Sequence, residues 1–359
     1  MDFELSDDQL ALRDGARDLL DGLAAPERVR AVFERDSGFD RELWSAMVEQ
    51  GWLGVELPES DGGLGMGAVE LAVMVEEIGR HAAPVPLLPS VLALGALRDR
   101  AGVAGLLDGS SIGCVAWSRD ATAVRASAAG PDWTLTGRAD PAPFAPSADV
   151  AVVVADDGEG PALFAVDLAA TGRPAREPAM DRTRELGWLV FDATPAERVG
   201  DHDAAQVLLD RGAVFTAAEM LGGAGRALDL AVQYAKDRVQ FDKPIGSFQA
   251  IKHRCADMLV DVEGMRSTVY WAAWSIGAGT ADASVAASTA KIWCSDASKR
   301  VMASALQVHG GIGFTWEHDL HFFLKRAQLD QLGFGDAAYH RQRLASLLRP
   351  RVAAGESVI

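Results

Sequence analysis

Cysteine is scarce in this chain of 359 residues: Cys114, Cys255 and Cys294 have no metal-ligand spacing and cannot all pair as disulfides. They read as small buried hydrophobes without chemistry. No apolar run is long enough to span a bilayer. The opening Met1 to Asp8 is acidic where a secretory signal would be basic and then apolar. A cytoplasmic protein with no membrane attachment is expected. Positive charge is in deficit, with 34 Lys and Arg against 51 Asp and Glu and a net charge of −17. Nucleic-acid affinity rests on clustered cations that release counterions, so no nucleic-acid partner is expected. His309, His318 and His321 lack further ligands at suitable spacing, which speaks against a metal site. Ser127, Ser147 and the seven histidines show no nucleophile-elbow pattern, which leaves a hydrolase triad without support.

What is present is ordinary core material: 49% apolar and 24% charged residues over a length that suits two or three domains. From Ser6 to about Arg100 the pattern is helical. Leu10, Leu12, Leu19, Leu20 and Leu23 fall near a 3.6-residue period, with Ser6 as N-cap and Gln9 at the capping-box position. The Pro/Gly-rich stretch Leu57 to Gly65 interrupts it before a second amphipathic segment around Leu71, Val73, Met74 and Ile78. Between Ile112 and about Gly200 the runs shorten and read as strands: Ile112 to Trp117, Trp133 to Gly137, Val150 to Ala155, Ala162 to Val166 and Leu186 to Phe191. Pro141 to Pro146 reads as a linker. After Asp203 helical periodicity returns. Ile251, Cys255, Met258, Leu259, Val262, Met265 and Val269 share one face of a helix that Ser247 could cap. The expected organisation is a mainly α protein with a central β domain, divided at 1–110, 111–203 and 204–359, the last a helical bundle.

Two segments carry a family signal: Arg238-Val239-Gln240-Phe241-Asp242-Lys243-Pro244-Ile245-Gly246-Ser247-Phe248-Gln249 and Gln307-Val308-His309-Gly310-Gly311-Ile312-Gly313-Phe314. Together they resemble the two best-known signatures of acyl-CoA dehydrogenases. The Met1 to Gln9 segment, Gly51 to Gly54 with Pro58 to Gly65, and Asp181 to Gly200 are similar to that family as well, so the resemblance covers nearly the whole chain. It implies a helical N-terminal domain, a β-barrel-like middle domain and a C-terminal four-helix bundle. It also implies FAD as cofactor, with Arg238, Phe241, Gln307, Gly310, Gly311 and Gly313, and less directly Gln249, reaching across to the diphosphate and adenosine end of a neighbouring subunit's FAD. The chemistry suits the residue types. A diphosphate needs a fixed cation and close backbone N–H donors, and an adenine favours an aromatic face.

Against that family the sequence departs in two places. Acyl-CoA dehydrogenation needs a carboxylate base at the substrate's α-carbon. The family's glutamate precedes a Gly-Thr in a segment that here reads Gln331-Leu332-Gly333-Phe334-Gly335-Asp336, which puts Phe334 at the base position. The alternative position on an earlier helix falls on Gly212. Asp210 and Asp336 each lie two residues from such a position, roughly 200° around a helix, and read as solvated or capping carboxylates. Glu219 lies two turns beyond Gly212. In the β domain, Trp117 to Ala123 lacks the family's Gly-Ser, and Gly137 to Ala142 lacks its Trp and Thr, so the segments that line a subunit's own flavin ring are rewritten.

The losses fall on one side of the site. No catalytic residue is assigned, and the retained set is the one a subunit extends to its neighbour. The resemblance is thus to the non-catalytic subunit of heteromeric α2β2 steroid-CoA dehydrogenases of actinobacteria. It implies a sister subunit carrying the catalytic Glu, an acyl-CoA substrate of steroid side-chain type, and an electron-transferring flavoprotein as electron acceptor. The alternatives are a non-enzymatic scaffold of the same fold and a self-sufficient dehydrogenase with a displaced base at Asp210, Asp336 or Glu219.

Overall fold

The computed structural model describes residues 4–35, 38–98, 103–130 and 132–356. Its helices are α1 (Asp7–Leu23), α2 (Pro26–Arg35), α3 (Arg41–Glu49), α4 (Ala68–Arg80), α5 (Leu87–Leu97), α6 (Val103–Leu107), α7 (Leu168–Thr171), α8 (His202–Asp237), α9 (Gln249–Gly277), α10 (Ala283–His309), α11 (Leu320–Leu332) and α12 (Ala337–Ala353). The strands are β1 (Gly113–Ala116), β2 (Val124–Ala129), β3 (Asp132–Arg138), β4 (Ala142–Pro143), β5 (Val150–Asp156), β6 (Pro161–Asp167), β7 (Leu186–Gly187), β8 (Val190–Gly200), β9 (Val239–Gln240) and β10 (Lys243–Pro244). None of the described helices is long and apolar enough to cross a membrane. The chain forms two compact units, one from Glu27–Gly67 and Pro84–Gly212, the other from Met1–Pro26, Ala68–Ala83 and Ala213–Ile359.

In the first unit the strands run β1-β5-β2-β3-β8-β6, and β6 also pairs with β5, so the sheet closes on itself. Closure removes the open edges that a small sheet would otherwise expose. Leu135, Val153 and Phe164 are buried on its strands, Phe164 against the Trp133 ring at 5.4 Å, and Leu163 is buried on the opposite face of its strand. The long β8 pairs with β3 on one side and β6 on the other. The Pro141 to Pro146 stretch is not a linker. Ala142, Phe144 and Ala145 are buried, and Phe144 N–H donates to the Glu185 carbonyl at 2.8 Å.

The second unit is helical. The α1 start carries the reciprocal capping box, with Ser6 Oγ accepting from Gln9 N–H and the Gln9 side chain accepting from Ser6 N–H. Helix α10 packs against α9, α11 and α12. On α9 the buried face is Met258, Val262, Met265 and Val269, whereas Leu259 is exposed. Helices α4 and α8 cross with their backbones touching: a Cβ on Gly79 would sit 2.0 Å from the Glu219 carbonyl oxygen, and one on Gly222 would sit 1.8 Å from that of Glu76. Only glycine permits this approach. Two expectations need correction. Ser247 does not cap α9; it lies in a 3-10 turn, Ile245–Ser247, and Phe248 occupies the N-cap without a side-chain bond. Cys255 is half-exposed, while Cys114 and Cys294 are buried.

Candidate functional site: a two-armed outward surface

Arg238 is the first residue beyond α8, its N–H donating to Tyr234 O at 2.8 Å. The β9–β10 hairpin follows at once, with Phe241 and Asp242 at the tight turn, both left-handed at φ 54° and 63°. Two successive residues with positive φ match the twist of a two-residue hairpin, a conformation that side-chain-bearing residues adopt at a cost. The turn thrusts Phe241 outward, 85% exposed, with its ring edge-on to Phe248 at 6.1 Å. An exposed phenyl ring on a rigid stalk is available for stacking. Gln249, exposed, opens α9.

The second arm ends α10. Gln307 is exposed on its last turn, and Gly310 terminates the helix at φ 63°, donating to Leu306 O. Three glycines stand here for three different reasons. Gly310 is required by its backbone angle. Gly313 is favoured by packing, since a Cβ there would lie 3.0 Å from the Cβ of His309. Gly311 is required by neither: its φ is ordinary, and a Cβ there would meet nothing within 4 Å. A glycine that its own chain does not demand fits the close approach of an outside group to the backbone.

The two arms are joined by a ring stack. Tyr234, one turn before Arg238, lies against His309 with centroids 4.8 Å apart and planes 26° from parallel. His318 meets the same histidine edge-on at 4.4 Å. Burial pushes the pKa of both histidines below the usual value. Among the described residues no three His, Cys, Asp or Glu side chains gather as a metal site.

The turn where the sequence reading expects the family's base holds Phe334 between α11 and α12. Phe334 sits at φ 54°, with its carbonyl accepting from His340 Nε2–H at 2.8 Å. Asp336 caps α12 through Tyr339 N–H at 2.8 Å. Beneath the turn the fully buried Lys291 ammonium donates to the Asp330 carbonyl and, at 3.4 Å, to that of Gln331. Burial lowers its pKa to about 8, against the pull of Asp330. Gly212 offers no side chain. Glu219 is committed to Arg326 at 2.6 Å. Asp210 is not solvated as expected: it is 6% exposed, beside the buried Leu208, Leu209, Gly212 and Ala213 of α8.

In the strand-rich unit, the Trp117 to Ala123 and Gly137 to Ala142 segments bond to each other. Arg119 N–H donates to the Asp140 carboxylate at 3.1 Å, and Asp140 N–H donates to Ser118 Oγ at 2.9 Å. Thr122 bonds Asp120 through both N–H and hydroxyl, holding that carboxyl below its usual range. The Arg138 guanidinium lies 3.6 Å above the Trp188 ring. The same unit holds a cavity of about 430 Å³, walled by residues including Leu57, Leu92 and Leu208 and by the Glu56–Arg211 ion pair.

Sequence reasoning missed Tyr234, Lys291, His340 and Trp188. Tyr234 had one legible signal, an aromatic one helical turn before Arg238. The others depend on contacts between distant segments.

A closed strand domain with helices before and after it, and signature loops at two helix ends, define the acyl-CoA dehydrogenase class of fold. The chain belongs to the acyl-CoA dehydrogenase family: residues 6–100 match its N-terminal domain and 202–348 its C-terminal domain. Members of the family bind FAD. The chain is 37% identical to the acyl-CoA dehydrogenase IpdE2 of Mycolicibacterium smegmatis over 90% of its own length and 93% of that protein. Among solved structures, the Tcur3481-Tcur3483 steroid ACAD matches at a TM-score of 0.91 with 32% identity, covering 97% of this chain and 99% of that one. The ChsE4-ChsE5 complex of Mycobacterium tuberculosis matches at 0.90 with 31% identity and the same coverage.

Proposed function

We propose that this chain is the non-catalytic, cofactor-completing subunit of a heteromeric, FAD-dependent acyl-CoA dehydrogenase. The observation that carries the reading is an asymmetry within one molecule. The outward set is free to meet a ligand, with Phe241 exposed and Gly311 open, while the inward set has Phe334 at the base position and a Ser118–Asp140 network bonded to itself. Similarity to the Tcur3481-Tcur3483 steroid ACAD and to the ChsE4-ChsE5 complex supports the same reading.

In this scheme the sister subunit supplies the glutamate base and the flavin bed in an α2β2 assembly. FAD held there would supply the hydride-accepting chemistry of acyl-CoA dehydrogenation, with an electron-transferring flavoprotein as the onward acceptor. This chain's residues bind and orient. Arg238 would neutralise diphosphate charge as a fork donor, and the Gly311 N–H would approach it without a Cβ between, the Gly310 N–H being held by Leu306 O. Phe241 offers a stacking face to the adenine, and Gln307, Gly313 and Gln249 complete the surface. The substrate is a bulky, steroid-derived acyl-CoA, and the place of action is the cytoplasm.

The test is purification of this chain alone and together with a sister subunit. Flavin at one FAD per heterodimer, with dehydrogenase activity only in the complex, is expected. A yellow, active preparation of this chain alone overturns the reading.

A further inference from the structure

The two outward arms grow from the ends of different helices, α8 and α10, separated by about 70 residues of chain. A diphosphate is bound well only when cation and N–H donors face it together at a fixed spacing. Something must set that spacing, and backbone continuity does not.

His309 stands at the junction. It is 3% exposed and packed on three sides: by the Tyr234 face, by the His318 edge and by Gly313, whose ideal Cβ comes within 3.0 Å. Its Nδ1 lies 2.8 Å from Ala305 O, and a carbonyl can only accept, so Nδ1 carries the proton. Its Nε2 is buried and makes no hydrogen bond. The ring is therefore a neutral wedge, with one nitrogen used to fix its plane and the other unused. A charged spacer at this point would compete with the arms for the anion or repel one of them; stacked neutral rings do neither.

We propose that Tyr234 and His309 are positioning residues, a ring clasp that fixes the Arg238 hairpin and the Gln307–Gly313 turn at the separation the FAD diphosphate needs. The proposal rests on the reading that this chain completes a sister subunit's FAD site. The flat ring matters more than its nitrogens, so a phenyl ring should substitute and a branched aliphatic side chain should not.

The measurement is FAD affinity of the co-purified complex, alongside its assembly mass and its melting temperature. For His309→Leu and Tyr234→Leu we expect FAD affinity to fall roughly tenfold with assembly intact, and for His309→Phe to stay within about twofold of the parent. The half-buried Tyr234 gives the safer variant: should His309→Leu fail to fold, Tyr234→Leu and His309→Phe decide the matter. Unchanged affinity in Tyr234→Leu, or a loss of FAD matched by an equal loss of assembly, overturns the clasp. A parent complex that holds no FAD overturns the underlying reading and the clasp with it. A parent complex that holds FAD beside an unaffected Tyr234→Leu overturns the clasp alone.

Discussion

The guanidinium of Arg326 on α11 meets the carboxylate of Glu219 on α8 at 2.6 Å, with the two side chains 4% and 1% exposed. Arg326 also donates to the carbonyls of Ala82 and Ala83, just beyond the end of α4. One buried cation thus ties three helices of the helical unit, including the one that leads into the Phe334 turn. The pairing commits the Glu219 carboxylate to Arg326 where it lies.

Breaking this pair from one side should be costly. Arg326→Met leaves Glu219 charged or forces it to take up a proton in a dry site, and the expected loss is about 3–5 kcal/mol by denaturant unfolding. The double variant Arg326→Met with Glu219→Leu should recover most of that loss, because two apolar side chains of similar volume replace two desolvated charges. A single variant no less stable than the parent would contradict the pairing.

Much of the fold was legible because local chemistry and tertiary outcome agree. Ser6 and Gln9 form the capping box that their spacing announces, and Val150 to Ala155 and Ala162 to Val166 are strands paired with each other. Strand β2 was not legible: Val124-Arg125-Ala126-Ser127-Ala128-Ala129 has almost no β-branched or aromatic content, and partners on both sides hold it extended. At the candidate site, residue types and order carried the outward set, while its rigidity came from contacts across long stretches of chain. Nothing near Lys291 in the sequence points to carbonyls some forty residues later. Nor does the Arg138 segment show that Trp188 will cover it.

Gly311 separates binding from folding. Its backbone angle is ordinary and its Cβ would find open space, so Gly311→Ala should change stability by no more than about 0.5 kcal/mol. A methyl group between backbone and diphosphate should nonetheless weaken FAD retention in the complex by about tenfold or more. Melting temperature and flavin absorbance of the same preparation check both halves. Retained FAD would remove Gly311 from the site.

Phe334→Glu places a carboxylate where the proposed reading puts the base, without touching the strand-rich unit. The Ser118–Asp140 network and the Arg138–Trp188 stack remain, so the expected result is a folded chain that on its own still binds no FAD and oxidises no acyl-CoA. Turnover assays with a dye acceptor on the isolated variant make the comparison. Activity gained by this single change would mean that the base was the sole loss, and that the rewritten β segments still accept a flavin.

His340 gives a pH signature. Its Nε2–H donates to Phe334 O, its ring is buried, and burial, aided by the Lys291 and Arg343 cations, lowers its pKa to about 3. In the unfolded chain the value returns to about 6.5. The folded state therefore binds fewer protons than the unfolded one between these values. The stability linked to His340 is complete above about pH 6.5 and declines as pH falls toward 3, by about 1.4 kcal/mol per pH unit inside that window. His340→Asn keeps a donor near Phe334 but cannot titrate. Its deficit relative to the parent, measured by urea unfolding, should shrink by about 2 kcal/mol between roughly pH 7 and pH 5. Other buried histidines, His309 among them, are common to both proteins and cancel in the difference. A deficit that stays constant with pH would mean that His340 is readily protonated in the folded chain, and that the bond to Phe334 does not hold this turn in its neutral form.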